Sequence, residues 1–149
     1  MAFVDPEGLE LVPVSLPGLP RTYIDNEFKP RVLDFIQNAR TAGVELKFNY
    51  AYRTPALQAA LRNNPTAITP AKQSLHSCGF AVDINFRSRS EEDQRKILKA
   101  ARDAGLSWGG DFKKPDWPHF YTDPGFSRTE KINNSYQEFN QLRREMRVR

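Results

Sequence analysis

The stretch Phe80-Ala-Val-Asp-Ile-Asn-Phe86 constrains this chain more than any other. Phe80, Val82, Ile84 and Phe86 fall on one side of a two-residue period, and Ala81, Asp83 and Asn85 on the other. The pattern predicts a strand whose apolar side packs on a core while Asp83 faces a cleft or solvent. Neighbouring elements carry equally local signals. Val32, Leu33, Ile36 and Ala39 recur at helical spacing after Pro30, and Gly43 stands where a C-terminal cap belongs. Val44, Leu46, Phe48 and Tyr50 alternate with polar residues, which predicts a strand over 44–52. Thr54 then caps a short helix with Pro55 at its first position. Ser90, Glu91, Glu92 and Asp93 form an acidic start with capping-box spacing for a helix that runs to Gly105.

Prolines decide much of the remainder. Pro6, Pro13, Pro17 and Pro20 bar a helix, so about residues 1–25 read as an extended arm wrapping the domain. Loops are expected over Asn63–Gln73 and Trp108–Pro118, a short strand at His119–Tyr121, and a basic helix at the C-terminus. With 149 residues, 39% of them hydrophobic and 27% charged, the chain is sized for one domain, 1–149, around one core. Helices mixed with short strands, without regular alternation, predict an α+β fold. A small antiparallel sheet flanked by helices would bear the site.

Composition narrows the function classes. The single cysteine, Cys78, excludes an internal disulfide framework and reads as a small apolar filler. The first residues show no basic region followed by an apolar run, and no stretch approaches membrane-spanning length. A soluble cytoplasmic product without membrane insertion is the expectation. The net charge of +4 suits an acidic polymer, and no nucleic-acid-binding motif accompanies it. Arg143, Arg144, Arg147 and Arg149 read as a solvated helix end.

The chain has only two histidines, His76 in SLHSCGFAVD and His119 in DWPHFY. In an unbroken strand the seven-residue offset from His76 to Asp83 would put the two on opposite faces, so they converge only if the chain turns between them. Gly79 is the residue that permits such a turn. Asp116 and His119, three apart, need a bend as well, and Pro118 supplies it. Tyr121, two beyond His119, would share its face. Two neutral imidazoles and one carboxylate suit a single zinc ion and leave a fourth position open for water, the arrangement catalytic zinc uses.

Ser74-x-His76-x-x-Gly79-x-Ala81-x-Asp83, with Asp116-x-x-His119 downstream, resembles the zinc peptidases that include VanY-like D-Ala-D-Ala carboxypeptidases and phage L-alanyl-D-glutamate endolysins. The tract WGGDFKKPDWPHFY is similar to the endolysin branch, and Tyr52-Arg53-Thr54-Pro55 with Gln58 resembles the family's arginine motif. The resemblance implies a hedgehog-like fold, the metal ligands His76, Asp83 and His119, a catalytic carboxylate at Asp116 and a transition-state-stabilising Arg53. Ser74, Gln58 and Tyr121 become candidate substrate contacts, although Gln58, one turn into its helix, has a water-facing reading too. Trp108 and Trp117 read as packing residues. Many relatives carry glutamate where this chain has Asp116, and the endolysin-like members include aspartate there.

The implied activity is hydrolysis of a peptidoglycan stem-peptide amide, with the L-alanyl-D-glutamate bond preferred. A D-Ala-D-Ala carboxypeptidase and a non-catalytic zinc module are the alternatives. The implied partner is bacterial peptidoglycan, met by a monomer after a holin or an export system gives access to the wall.

Overall fold

The computed structural model describes residues 9–62, 74–125 and 127–148. The loop expected over 63–73, the first eight residues of the expected arm, and the side chains of Arg147 and Arg149 lie outside them.

The N-terminal arm is a β-hairpin rather than a single extended strap. Strand β1 (Leu11–Leu16) pairs antiparallel with β2 (Leu19–Asp25) across a Pro17-Gly18 turn. Prolines exclude helix but not a two-stranded ribbon, where one side of each strand needs no ladder partner. The hairpin tip docks on the next sheet, where Phe48 N–H donates to the Pro17 carbonyl at 2.7 Å. Helix α1 (Lys29–Thr41) buries Val32, Phe35, Ile36 and Ala39.

Strand β3 is confined to Phe48–Tyr50, shorter than the predicted 44–52. Val44, Leu46 and Phe48 are buried as their alternation implies, but a register shift between Phe48 and Tyr50 leaves Tyr50 exposed. Helix α2 (Pro55–Arg62) starts at Thr54, whose Oγ1 accepts from Leu57 N–H at 3.2 Å. The four-residue α3 (Leu75–Cys78) precedes β4 (Ala81–Ile84). Helix α4 (Glu91–Asp103) is capped by Ser90, whose Oγ accepts from Asp93 N–H. The segment after it is not all loop: β5 (Ser107–Trp108) and a 3-10 turn at Gly109–Asp111 precede β6 (His119–Tyr121). Helix α5 (Arg128–Val148) follows. Among the described residues no helix is long and apolar enough to cross a membrane.

The main sheet runs β3-β4-β6-β5 with every neighbouring pair antiparallel, an α+β arrangement. Register sorts its side chains. Val82 faces Phe120, and Trp108 faces Phe120 from the other side, so these share the core face. Phe35 of α1 meets the Phe120 ring at 5.2 Å, and α4 packs against α1 behind the sheet. Burying such aromatic and branched side chains stabilises the fold by about 1.5–3 kcal/mol each. The opposite face carries Ala81, Asp83, His119 and Tyr121.

Helix α5 packs against α3 and the hairpin through a buried polar cluster. Lys131 Nζ pairs with Asp25 Oδ2 at 2.7 Å and donates to Ser135 Oγ at 2.8 Å. Ser135 Oγ donates to the Cys78 carbonyl at 3.4 Å, and Glu138 Oε1 accepts from Leu11 N–H at 3.3 Å. Lys131, Ser135 and Glu138 lie on one helical face and tie the hairpin to α3.

Candidate metal centre

Three buried side chains meet on the face of the sheet opposite the core, each placed by a different piece of backbone. Asp83 and His119 are directly paired across β4 and β6, which puts both on one face. His76 arrives from α3. Ser74 Oγ caps that helix by accepting His76 N–H at 3.1 Å, and Gly79 ends it with φ +83°. A Cβ on Gly79 would stand 2.8 Å from Asp25 N, so both the left-handed backbone and the close approach of β2 demand glycine. The turn brings His76 round to face Asp83.

The resulting atoms form a tight triangle. His76 Nε2 lies 3.1 Å from Asp83 Oδ1 and 3.1 Å from His119 Nδ1, and His119 Nδ1 lies 3.2 Å from Asp83 Oδ1. His76 Nδ1 is 2.8 Å from the Ala51 carbonyl, to which only a protonated Nδ1 can donate, so a neutral His76 turns a bare Nε2 lone pair into the triangle. Burial lowers the His76 pKa, with Arg53 and His119 adding to the effect against the pull of Asp83, which favours that neutral ring. Burial pushes the Asp83 carboxyl the opposite way, towards protonation, but when the two imidazoles carry protons they outweigh it and hold the group well below the ordinary carboxylate range.

Converging lone pairs and an anionic oxygen leave an electron-rich centre that a cation resolves. Tetrahedral zinc with ligands at about 2.0–2.2 Å spaces them roughly 3.3–3.6 Å apart, so the triangle needs to open by only a few tenths of an ångström. Among the described residues His76, Asp83 and His119 are the one group of metal-ligating side chains close enough to share an ion.

Asp83 uses its second oxygen elsewhere. Arg53 Nη2 donates to Asp83 Oδ2 at 2.8 Å, orienting the carboxylate as partners of metal ligands commonly do. Arg53 is itself buried, and its Nη1 reaches Gln58 Oε1 at 3.4 Å. Gln58 is therefore not water-facing, as its helix position had allowed. It is 4% exposed and turned to Arg53. The Arg53 guanidinium also lies 4.4 Å from the centre of the Tyr50 ring.

The loop before His119 folds around Gly109. Its carbonyl accepts from Phe112 N–H and Asp116 N–H, and a Cβ there would meet the Asp116 carbonyl at 2.6 Å and His119 Cβ at 2.9 Å. His119 N–H closes a turn to the Asp116 carbonyl at 3.3 Å with Pro118 inside it. Asp116 is half-buried, and burial raises its carboxyl pKa, with the Asp83 charge adding to the rise while His119, His76 and Arg53 oppose it. Tyr121 stacks on His119 with centroids 5.3 Å apart, and Phe112 lies 5.4 Å from Tyr121. Trp108 Nε1 donates to the Trp117 carbonyl, and the two rings pack 5.4 Å apart. Cys78 is buried with its thiol pushed up to about 11, as suits an inert filler.

Three residues of this neighbourhood carry no sequence signal of their own. Ala51 acts through its carbonyl, and Gly109 and Tyr50 matter through contacts that only the fold creates.

Residues 67–122 match the model of a family described as D-alanyl-D-alanine carboxypeptidase, a segment that contains His76, Asp83, Asp116 and His119. Over this segment the chain is similar to that family. Arg53 and Gln58 precede the matched segment. The fold of the chain is similar to that of a vancomycin resistance D,D-pentapeptidase, VanY from a VanB-type cassette, solved as an E175A mutant with Zn(II). That likeness has 18% identity and a TM-score of 0.55, over 95% of this chain and 97% of the other. The L-Ala D-Glu endopeptidase ChiX of Serratia marcescens matches with 25% identity and a TM-score of 0.48, over 63% of this chain and 79% of that one. No curated protein matches the chain.

Proposed function

We propose that the chain hydrolyses a stem-peptide amide of bacterial peptidoglycan, with the L-alanyl-D-glutamate bond as its target. The observation that carries the reading is the triangle of His76 Nε2, His119 Nδ1 and Asp83 Oδ1, with Arg53 held against Asp83. The wall as substrate follows the matched family and the VanY-like fold. The choice of bond follows the tract Trp108–Tyr121, which resembles the endolysin branch.

When bound at the triangle, zinc supplies Lewis acidity and makes water acidic enough to deprotonate at about pH 7. Asp116, with its raised pKa, takes the proton of the attacking water and passes it to the leaving amine, acting first as base and then as acid. Arg53 offsets the negative charge that develops on the carbonyl oxygen. Tyr121 lines the cleft beside His119 and meets the substrate backbone. Ser74 and Gln58 act at one remove, Ser74 by capping the helix of His76 and Gln58 by holding Arg53.

Purified wall digested with the zinc-loaded protein, with and without a chelator, tests the reading. Newly exposed L-alanine carboxyl and D-glutamate amino termini are expected, and only without chelator. Release of terminal D-alanine instead would move the chain to the carboxypeptidase activity that the matched family's description names. No new termini from any wall would leave a zinc-binding module.

A further inference from the structure

Arg53 is restrained at its edge by two acceptors, Asp83 Oδ2 at 2.8 Å and Gln58 Oε1 at 3.4 Å. Its main-chain N–H is fixed as well, donating to the His76 carbonyl at 3.3 Å. Two in-plane contacts at the terminal nitrogens leave the guanidinium free to tilt about the line that joins them. A ring packed against the group restricts that freedom, and Tyr50 provides one, with the guanidinium carbon over the ring 4.4 Å from its centre.

The position of Tyr50 is otherwise hard to account for. It is 39% exposed and takes no part in the apolar core, yet a large ring stands on the open face of a strand. Register places it opposite Asp83, which is opposite His119, so the three side chains form one line across β3, β4 and β6. The ring is thus on the same face as the metal triangle.

We propose that Tyr50 is a positioning residue, its ring face fixing the tilt of the Arg53 guanidinium in the plane set by Asp83 and Gln58. The guanidinium is then already aimed when negative charge appears on the scissile carbonyl, and no reorganisation is needed during reaction. This inference rests on the hydrolase reading above for its catalytic consequence, but not for the contact itself. The ring rather than the phenol group does the work, so phenylalanine substitutes for tyrosine and an aliphatic residue of similar bulk does not.

The test compares Tyr50→Leu and Tyr50→Phe in the full chain, zinc-free and zinc-loaded. In protein labelled with 15N-arginine, the side-chain Nε–H resonance of Arg53 is assigned by its loss in Arg53→Lys. Protons above an aromatic face resonate upfield, so Tyr50→Leu is expected to move this signal downfield in both metal states and Tyr50→Phe to leave it in place. With wall substrate, kcat falls on the order of tenfold in Tyr50→Leu and recovers in Tyr50→Phe, while KM and zinc affinity stay constant. An unmoved resonance, or an unchanged kcat, in Tyr50→Leu overturns the proposal. Absence of turnover in the unmutated protein defeats the hydrolase reading instead, and the resonance then decides alone whether the ring holds Arg53.

Discussion

Asp83 divides its two oxygens between two tasks, Oδ1 to the imidazoles and Oδ2 to Arg53. Asparagine there would keep the shape but lose the charge that balances a dication. Asp83→Asn is expected to abolish stoichiometric zinc binding, read by metal analysis after dialysis. Asp116 has a different signature, because it lies outside the ligand triangle. Asp116→Ala should keep one zinc per chain and lower kcat by roughly a hundredfold to ten-thousandfold. Its pKa is raised, so the base is lost as pH falls through a point above 3.8, and the acid limb of the rate profile should sit above an ordinary aspartate's. At this scale the sequence was informative where the backbone announces its own turns. Gly79 marks where the chain turns for His76 to face Asp83, and Pro118 lies inside the turn that the His119 N–H closes to the Asp116 carbonyl. Gln58 and Tyr50 were opaque because their surroundings are set by Arg53, a residue whose direction no local pattern encodes.

Elements divide along the same line. Strand β4 and helices α1 and α4 were legible because each repeats its burial signal over several residues. The Ser90 cap and Gly43 mark two of their ends. Strand β5 is two residues long and α3 four, too short for a period to register. The hairpin was missed for another reason, since its prolines speak against helix but say nothing of a partner strand. The short α3 also concentrates risk. Gly79→Ala combines a left-handed backbone with a Cβ 2.8 Å from Asp25 N. Its expected cost is at least about 2 kcal/mol, measured by urea unfolding of the zinc-free protein, with weakened zinc binding because His76 shifts.

At the scale of the whole molecule, α5 fastens both the hairpin and α3 through Lys131, Ser135 and Glu138. Burial pushes the Glu138 carboxyl up to about 7, against the pull of Lys131 and the hydrogen bond from Leu11, with Asp25 and Glu10 adding to the rise. A raised carboxyl pKa stabilises the fold fully below the ordinary value of 4.5, and that contribution is lost as pH rises through about 7. Its size is no more than about 3 kcal/mol. His76, with its lowered pKa, pulls in the opposite direction, so the comparison with Glu138→Gln carries the test. Denaturation of both zinc-free proteins across this range should show the unmutated chain losing stability relative to Glu138→Gln as pH rises. A further consequence follows from the line Tyr50–Asp83–His119 across three strands. Sliding β4 by a single residue would swing Asp83 into the hydrocarbon interior and bring Val82 or Ile84 outward. A correctly aligned sheet is therefore what brings Asp83 and His119 to one face, opposite each other and in line with Tyr50.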